Sequence, residues 1–159
     1  MKKNKGFTLI EILVVIGIIA ILATIVLIAI NPSRQFAQAN NTQRTSNVNA
    51  ILNAIGQYIA NNKGALPTGL SNTTCPPATA CDITGVVAVG NVDLCPTLVP
   101  VLISSLPVDP TVTAGPVTTC NNTYATGYKV SVDTEANGSR ITVSAPATEL
   151  GITDISVTR

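Results

Sequence analysis

The chain has no histidine and no tryptophan, one methionine, and few aromatic residues, two Phe and three Tyr. Charged side chains are also scarce, at 11% of 159 residues. Without histidine, the commonest general base and metal ligand is missing. No Ser-His-Asp or Cys-His arrangement can be assembled and no phosphate loop is present. The expectation is therefore a non-enzyme, with no catalytic residue, no cofactor and no metal. The charge balance also argues against nucleic acid as a direct partner. Net charge is +1, but Lys2, Lys3 and Lys5 crowd the first five positions. Beyond Gly6, six basic and eight acidic residues remain, a net of −2, which leaves no positive footprint for a phosphate backbone. The length suits one domain with a modest core.

What the chain does have is a long oily run. After the basic head MKKNKG, residues 7–30 read FTLIEILVVIGIIAILATIVLIAI, and only Thr8, Glu11, Gly17 and Thr24 are neither strongly apolar nor Ala. As a helix this run spans roughly 36 Å, enough to cross the hydrocarbon core of a bilayer. Three lysines precede it and only Arg34 follows closely, so the positive-inside bias places the amino end in the cytoplasm and the rest of the chain outside.

Asn31-Pro32 punctuates the run and predicts a kink or break near residues 28–32. Beyond it, Phe36, Val48, Ile51, Leu52, Ile55 and Ile59 fall mostly on one helical face, while Gln35, Gln38, Gln43, Arg44, Asn47 and Gln57 supply much of the remainder. Asn61-Asn62-Lys63-Gly64 followed by Leu66-Pro67 is a helix stop. One long helix over about residues 7–62 is expected, with an apolar first half (7–30) and an amphipathic second half (31–63). From residue 64 to 159, Thr, Val, Gly and Pro dominate, and strands with turns replace the helix. Residues 66–82 read as loop, 85–89 as a short strand and 97–105 as a short helix. In the clearest element, Tyr128, Val130 and Val132 alternate on one arm of a hairpin and Ile141, Val143 and Ala145 on the other, with Asn137-Gly138 at the turn. A last strand contains Ile155 and Val157. The fold class is α+β, a long N-terminal helix packed on a small C-terminal antiparallel sheet.

Cys75, Cys81, Cys95 and Cys120 all lie in the exported half. An even count in an oxidising compartment reads as two disulfides. Zinc ligation is disfavoured because the spacings, 5, 13 and 24 intervening residues, contain no C-x2-C pair. Spacing leaves three connectivities open; the pairing expected is Cys75–Cys81 within a loop and Cys95–Cys120 clamping the outer region.

The most informative stretch is Lys5-Gly6-Phe7-Thr8-Leu9-Ile10-Glu11. A carboxylate at a membrane-helix centre costs about 2.5–3.5 kcal/mol, somewhat less near an end, so Glu11 requires compensation. A short basic leader ending in Gly, then Phe-Thr-Leu-Ile-Glu and a long apolar run, closely resembles the prepilin signature of the type IV pilin and type II pseudopilin family. The detailed resemblance covers about residues 1–32, and the rest agrees in layout. It implies a pilin fold. It further implies that a prepilin peptidase cuts between Gly6 and Phe7 and methylates the Phe7 amine, with Gly6 required because its bare backbone enters the peptidase site. The processed subunit stays in the inner (cytoplasmic) membrane as a single-pass protein, N-terminus inside. An assembly platform and its ATPase then build it into an extracellular homopolymer, a helical pilus for adhesion, twitching motility or DNA uptake. In that polymer Glu11 of one subunit pairs with the Phe7 amine of a neighbour, which sets axial register.

Three other features admit a second reading. Ala37-Gln38-Ala39 mimics a signal-peptidase site, but the apolar run before it is too long for such a signal. Asp133-Thr134-Glu135-Ala136-Asn137-Gly138 opens like a calcium loop, yet its twelfth position is Ser144, so a polar turn explains it better. Asp109, among prolines in residues 106–110, is a second calcium candidate and more simply part of a rigid turn. At the level of function, the alternative to a pilin is a pseudopilin of a secretion or competence system. A membrane-tethered binding module that never polymerises is the third.

Overall fold

The computed structural model describes residues 6–71, 73–86, 88–121, 123–135 and 138–159. Lys2, Lys3 and Lys5 lie outside the described residues. The chain divides into two compact units, Met1–Phe36 and Ala37–Arg159.

The first unit is dominated by α1 (Leu9–Ala29). Its fifteen large apolar side chains from Leu9 to Ile28 are each 50–82% exposed, on every side of the helix. The helix ends at Ile30, which is extended (φ −98°, ψ 123°) while its N–H still donates to the Val26 carbonyl at 3.0 Å. Asn31 precedes a proline, and that position disfavours helical backbone. Asn31 then caps the next helix, its Oδ1 accepting from the Arg34 N–H at 3.3 Å, with Pro32 at the first helical position. The single helix expected over residues 7–62 is thus two, α1 and α2 (Pro32–Asn61), divided at the proline.

The second unit is built on α2 from Ala37 onward. Val48, Ile51, Leu52 and Ile55 are buried as the periodicity predicts, and Ile59 packs at the margin of the same core. Phe36, expected on this face, is exposed. The buried stripe runs upstream through Arg44, Asn41 and Ala37 instead, at spacings of three and four residues, which leaves Phe36 beside it. The helix stops where expected: Lys63 and Gly64 both have positive φ (54° and 91°), and the Gly64 N–H donates to the Ile59 carbonyl at 2.8 Å.

A five-stranded sheet covers the helix face. In chain order its strands are β1 (Cys81–Thr84), β2 (Asn91–Val92), β3 (Ala125–Glu135), β4 (Gly138–Ala145) and β5 (Ile155–Thr158), arranged β2-β1-β3-β4-β5. The β3–β4 hairpin matches the alternation read from the sequence, with Val130 opposite Val143 and Val132 opposite Ile141. Its last pair is Glu135 with Gly138, so Gly138 opens β4 rather than occupying the turn. Asn137 lies outside the described residues. Three further expectations are corrected. Among the described residues, 85, 86, 88 and 89 are not in a strand; the strands flank them, and β1 occupies the end of the segment read as loop. β1 and β2 pair in parallel, so the sheet is mostly rather than wholly antiparallel. The helix expected over 97–105 is a single turn, α3 (Cys95–Leu98). A further short turn of 3-10 helix spans Pro77–Thr79.

Two disulfides, Cys75–Cys81 and Cys95–Cys120, bind the loops to this sheet. A Cβ at Gly85 would meet the Asn121 carbonyl oxygen at 2.2 Å and the Tyr124 ring at 2.7 Å, so the backbone there admits glycine alone.

The core also holds a charge that periodicity could not reveal. Arg44 is fully buried. Its Nε donates to Asp109 Oδ2 at 2.7 Å and its Nη2 to Asp109 Oδ1 at 3.0 Å, a two-pronged pair, while Nη1 donates to Asn41 Oδ1 and Glu149 Oε2, each at 2.9 Å. Asn47 donates to the Tyr128 hydroxyl at 2.8 Å. The Asp109 N–H donates to the Thr126 carbonyl at 2.8 Å, and Gly127 (φ 79°) sits where a Cβ would come within 3.0 Å of the Asp109 Cβ. Together these contacts tie α2, β3, the 106–111 turn and the 146–152 segment to one another. Burial pushes the Asp109 carboxyl up, but Arg44 and Thr111 outweigh it and hold it below the usual carboxylate value.

Two predictions follow from this pair. Arg44→Ala strands the Asp109 charge and destabilises the second unit by about 3–5 kcal/mol, whereas Arg44→Met combined with Asp109→Leu restores most of the loss; denaturant melts of the full chain in detergent, followed by tyrosine fluorescence, read both. Because the folded carboxyl titrates below its unfolded value of about 3.9, its contribution is complete above that pH and is lost as pH falls through the folded value. Stability therefore drops below about pH 4 in the native chain, and less steeply in the apolar double variant.

Candidate processing and assembly site

The residues singled out at the N-terminus lie where an oily helix begins. Thr8 is the N-cap of α1, extended at φ −82° and ψ 151°. Its Oγ1 accepts from the Glu11 N–H at 3.3 Å, and Glu11 reaches back: Oε2 accepts from the Thr8 N–H at 2.8 Å and from the Thr8 hydroxyl at 2.7 Å. This reciprocal capping box satisfies donors that a helix start would otherwise leave bare in an apolar setting. It also supplies part of the compensation that Glu11 requires, because the carboxylate lies in the first turn, where the helix dipole favours negative charge. Both bonds fall on Oε2. Among the described residues, none donates to Oε1, which leaves that oxygen able to accept a donor from another molecule.

Gly6 and Phe7 precede the cap and lie outside the helix. Phe7 is 85% exposed, and a Cβ built at Gly6 meets nothing within 4 Å. The fold itself therefore does not require glycine at position 6. The bond between them lies on non-helical chain, one residue before the cap.

Other candidates fall elsewhere. Ala37-Gln38-Ala39 lies within α2. Asp109, entertained as a calcium ligand, is committed to Arg44 and to Thr111, whose N–H and hydroxyl both donate to its Oδ1. Asp133 lies opposite Arg140 in the hairpin. Among the described residues no group of three or more His, Cys, Asp or Glu is placed to hold a metal ion. The four cysteines are all in disulfides. Near one of them, Asp93 Oδ1 accepts from both the Cys95 N–H at 3.0 Å and the Tyr124 hydroxyl, so the Cys95 end is held by side chains that the sequence reading had not singled out. Arg44 was also missed, having been counted among the solvent-facing polar residues of α2. A clue lay in its position, four residues before Val48 and seven before Ile51, on the apolar stripe.

Residues 1–27 match the family model of the prokaryotic N-terminal methylation motif. The chain thus carries a type IV pilin-like prepilin signal, and the α+β layout, an apolar N-terminal helix followed by a second helix and a mostly antiparallel sheet, is pilin-like. No curated protein and no solved structure matches the chain.

Loss of the cap is the test of this geometry. Thr8→Val keeps the shape of the side chain but removes the hydroxyl, and frays the first turn of α1 at a cost of about 1 kcal/mol. Amide exchange of residues 9–11 in detergent micelles rises in Thr8→Val and stays near native in Thr8→Ser.

Proposed function

We propose that the chain is a type IV pilin, a structural subunit rather than an enzyme. It is cleaved between Gly6 and Phe7, methylated on the Phe7 amine, and polymerised through α1 into a helical extracellular pilus. The observation that carries this reading is α1 itself. Each apolar side chain of this size is worth about 1.5–3 kcal/mol when fully withdrawn from water, so fifteen half-exposed ones represent tens of kcal/mol that α1 does not satisfy within its own unit. Lipid satisfies them before assembly and neighbouring copies of α1 do so afterwards.

Cleavage on the cytoplasmic side removes the lysines, leaves the oily helix in the inner membrane, and creates a positive amine four residues before Glu11. In a stack of helices, Glu11 of an incoming subunit accepts the Phe7 amine of its neighbour, and the free Oε1 supports that role. Transfer from lipid to a helix bundle gains little hydrophobic energy, since lipid is as apolar as leucine. Close packing, this charge pair and the assembly platform with its ATPase therefore share the drive. A buried charge left without its partner costs about 3–5 kcal/mol, enough to reject a misplaced subunit. The same N-terminal features serve a pseudopilin of a secretion or competence system. Residues 106–110 resemble the major pseudopilin, but Asp109 there is committed to Arg44 and is not available to a cation.

Fibres sheared from the surface of cells expressing the chain are expected to contain a subunit beginning with N-methylated Phe7 by mass spectrometry. Gly6→Val blocks processing and abolishes fibres. Glu11→Ala is processed but lowers fibre yield by an order of magnitude or more, in line with the penalty for an unpaired buried charge. A chain that still begins at Met1 and associates with no other copy contradicts the proposal. Fibres that appear only on overproduction, in cells whose secretion fails without the chain, favour the pseudopilin reading.

A further inference from the structure

The two disulfides sit in different surroundings. Cys75 and Cys81 are 0% and 1% exposed. Cys81 belongs to β1, opposite Val130, and the Cys75 carbonyl accepts from the Val132 N–H at 2.8 Å, so both sulfurs lie against the sheet. Cys95 is likewise buried, but Cys120 is exposed and belongs to a segment that runs over the surface. From Pro110 to Cys120 every residue but the half-buried Val117 is exposed. Val117 is tied to Leu106 by two backbone hydrogen bonds of 2.9 Å, and Tyr124 returns the chain to the core through the Gly85 N–H at 3.0 Å. Between those two anchors, the backbone bond among the described residues is local, Asn121 N–H to Thr119 carbonyl at 3.0 Å, as are the bonds Thr123 gives to Asn121 Oδ1. The covalent link of this stretch to the core is the Cys120 sulfur, and its close packing contact is the Asn121 carbonyl over Gly85.

We infer that the Cys95–Cys120 disulfide is a reducible clasp, which an external dithiol opens while Cys75–Cys81 stays closed, and that opening frees residues 118–121 from the core without unfolding the sheet. The exchange is balanced as follows. A thiolate of the dithiol attacks the Cys120 sulfur, the Cys95 sulfur leaves with the electron pair and takes up a proton, and the second thiol of the reagent displaces Cys120, giving a cyclic disulfide. Two electrons pass from the reagent to the protein. Attack on Cys75 or Cys81 requires the sheet to open first, so its rate is limited by a rare fluctuation.

The test is a dithiothreitol titration of the full chain in detergent, with alkylation of freed thiols and peptide mapping at each point. Cys95 and Cys120 are expected to be labelled on the order of tenfold or more ahead of Cys75 and Cys81, the ratio reflecting access of the attacking thiolate. At the reductant concentration that opens the first pair alone, proteinase K is expected to cut within residues 118–123, while circular dichroism keeps its native strand signal. The double substitution Cys95→Ser with Cys120→Ser is expected to show the same cut without reductant. Simultaneous labelling of all four cysteines, or earlier labelling of Cys75 and Cys81, overturns the selectivity. An uncut segment in the selectively reduced chain and in the double variant, or loss of the strand signal in both, overturns the release.

Discussion

The constraint on which everything else depends is that α1 is oily on every side and finds no cover within its own unit. A soluble helix keeps one face apolar and turns it to a core. α1 has no polar face to turn outward, and the function proposed above gives it lipid and then other copies of itself as cover. Against that background Glu11 is informative. A carboxylate in such a helix is costly, and the Thr8 capping box meets part of the cost inside one molecule by engaging Oε2 and the helix dipole. Among the described residues no donor reaches the remaining oxygen, and the proposed function uses it for a partner from another chain. In the function proposed above, tolerance in the membrane and pairing in a polymer would be two uses of one side chain that do not compete for the same atom.

The second unit solves a different problem. Its sheet and helix bury ordinary aliphatic residues, but the upstream end of the α2 stripe is Asn41 and Arg44, not Leu or Ile. A buried ion pair of this kind adds little net stability over an apolar substitute, and its loss in half is severely punished. What it supplies here is placement. The guanidinium fork meets both oxygens of Asp109, and its remaining prong reaches Glu149, so two irregular segments are held against α2 by directional bonds where apolar packing alone would leave their register loose. The disulfides act on the loops at the other end of the chain of strands, and Gly85 lets the Asn121 backbone come close enough for Cys120 to reach Cys95.

Much of this was legible in the residues. Continuous apolarity marked α1, the proline marked its end, and alternation marked the β3–β4 hairpin almost residue by residue, because each signal follows from a local period or a local steric rule. The N-terminal motif was legible for a different reason: its information lies in identity and order, not in burial. The failures are equally specific. β1 and β2 are too short to show alternation, and the turn into β2 depends on a positive φ at Gly90, whose carbonyl accepts from the Asp82 N–H, which no pattern announces. Arg44 was assigned to solvent because periodicity weighs apolar residues and ignores a charge whose partner is 65 positions away. Asp109 looked like a possible cation ligand for the same reason; its true counter-charge was an arginine remote in the sequence.

The central claim, that copies of α1 cover one another in an extracellular fibre, is tested most directly by cross-linking. Every native cysteine is in a disulfide, so thiols introduced in α1 are the only ones available to a maleimide. With Val14→Cys and Ile21→Cys in the same chain, a short bismaleimide applied to isolated fibres is predicted to give a ladder of covalent multimers extending well past the dimer, since each helix meets neighbours on more than one side. A single band at the mass of one subunit, from fibres fully labelled at both positions, would contradict the account.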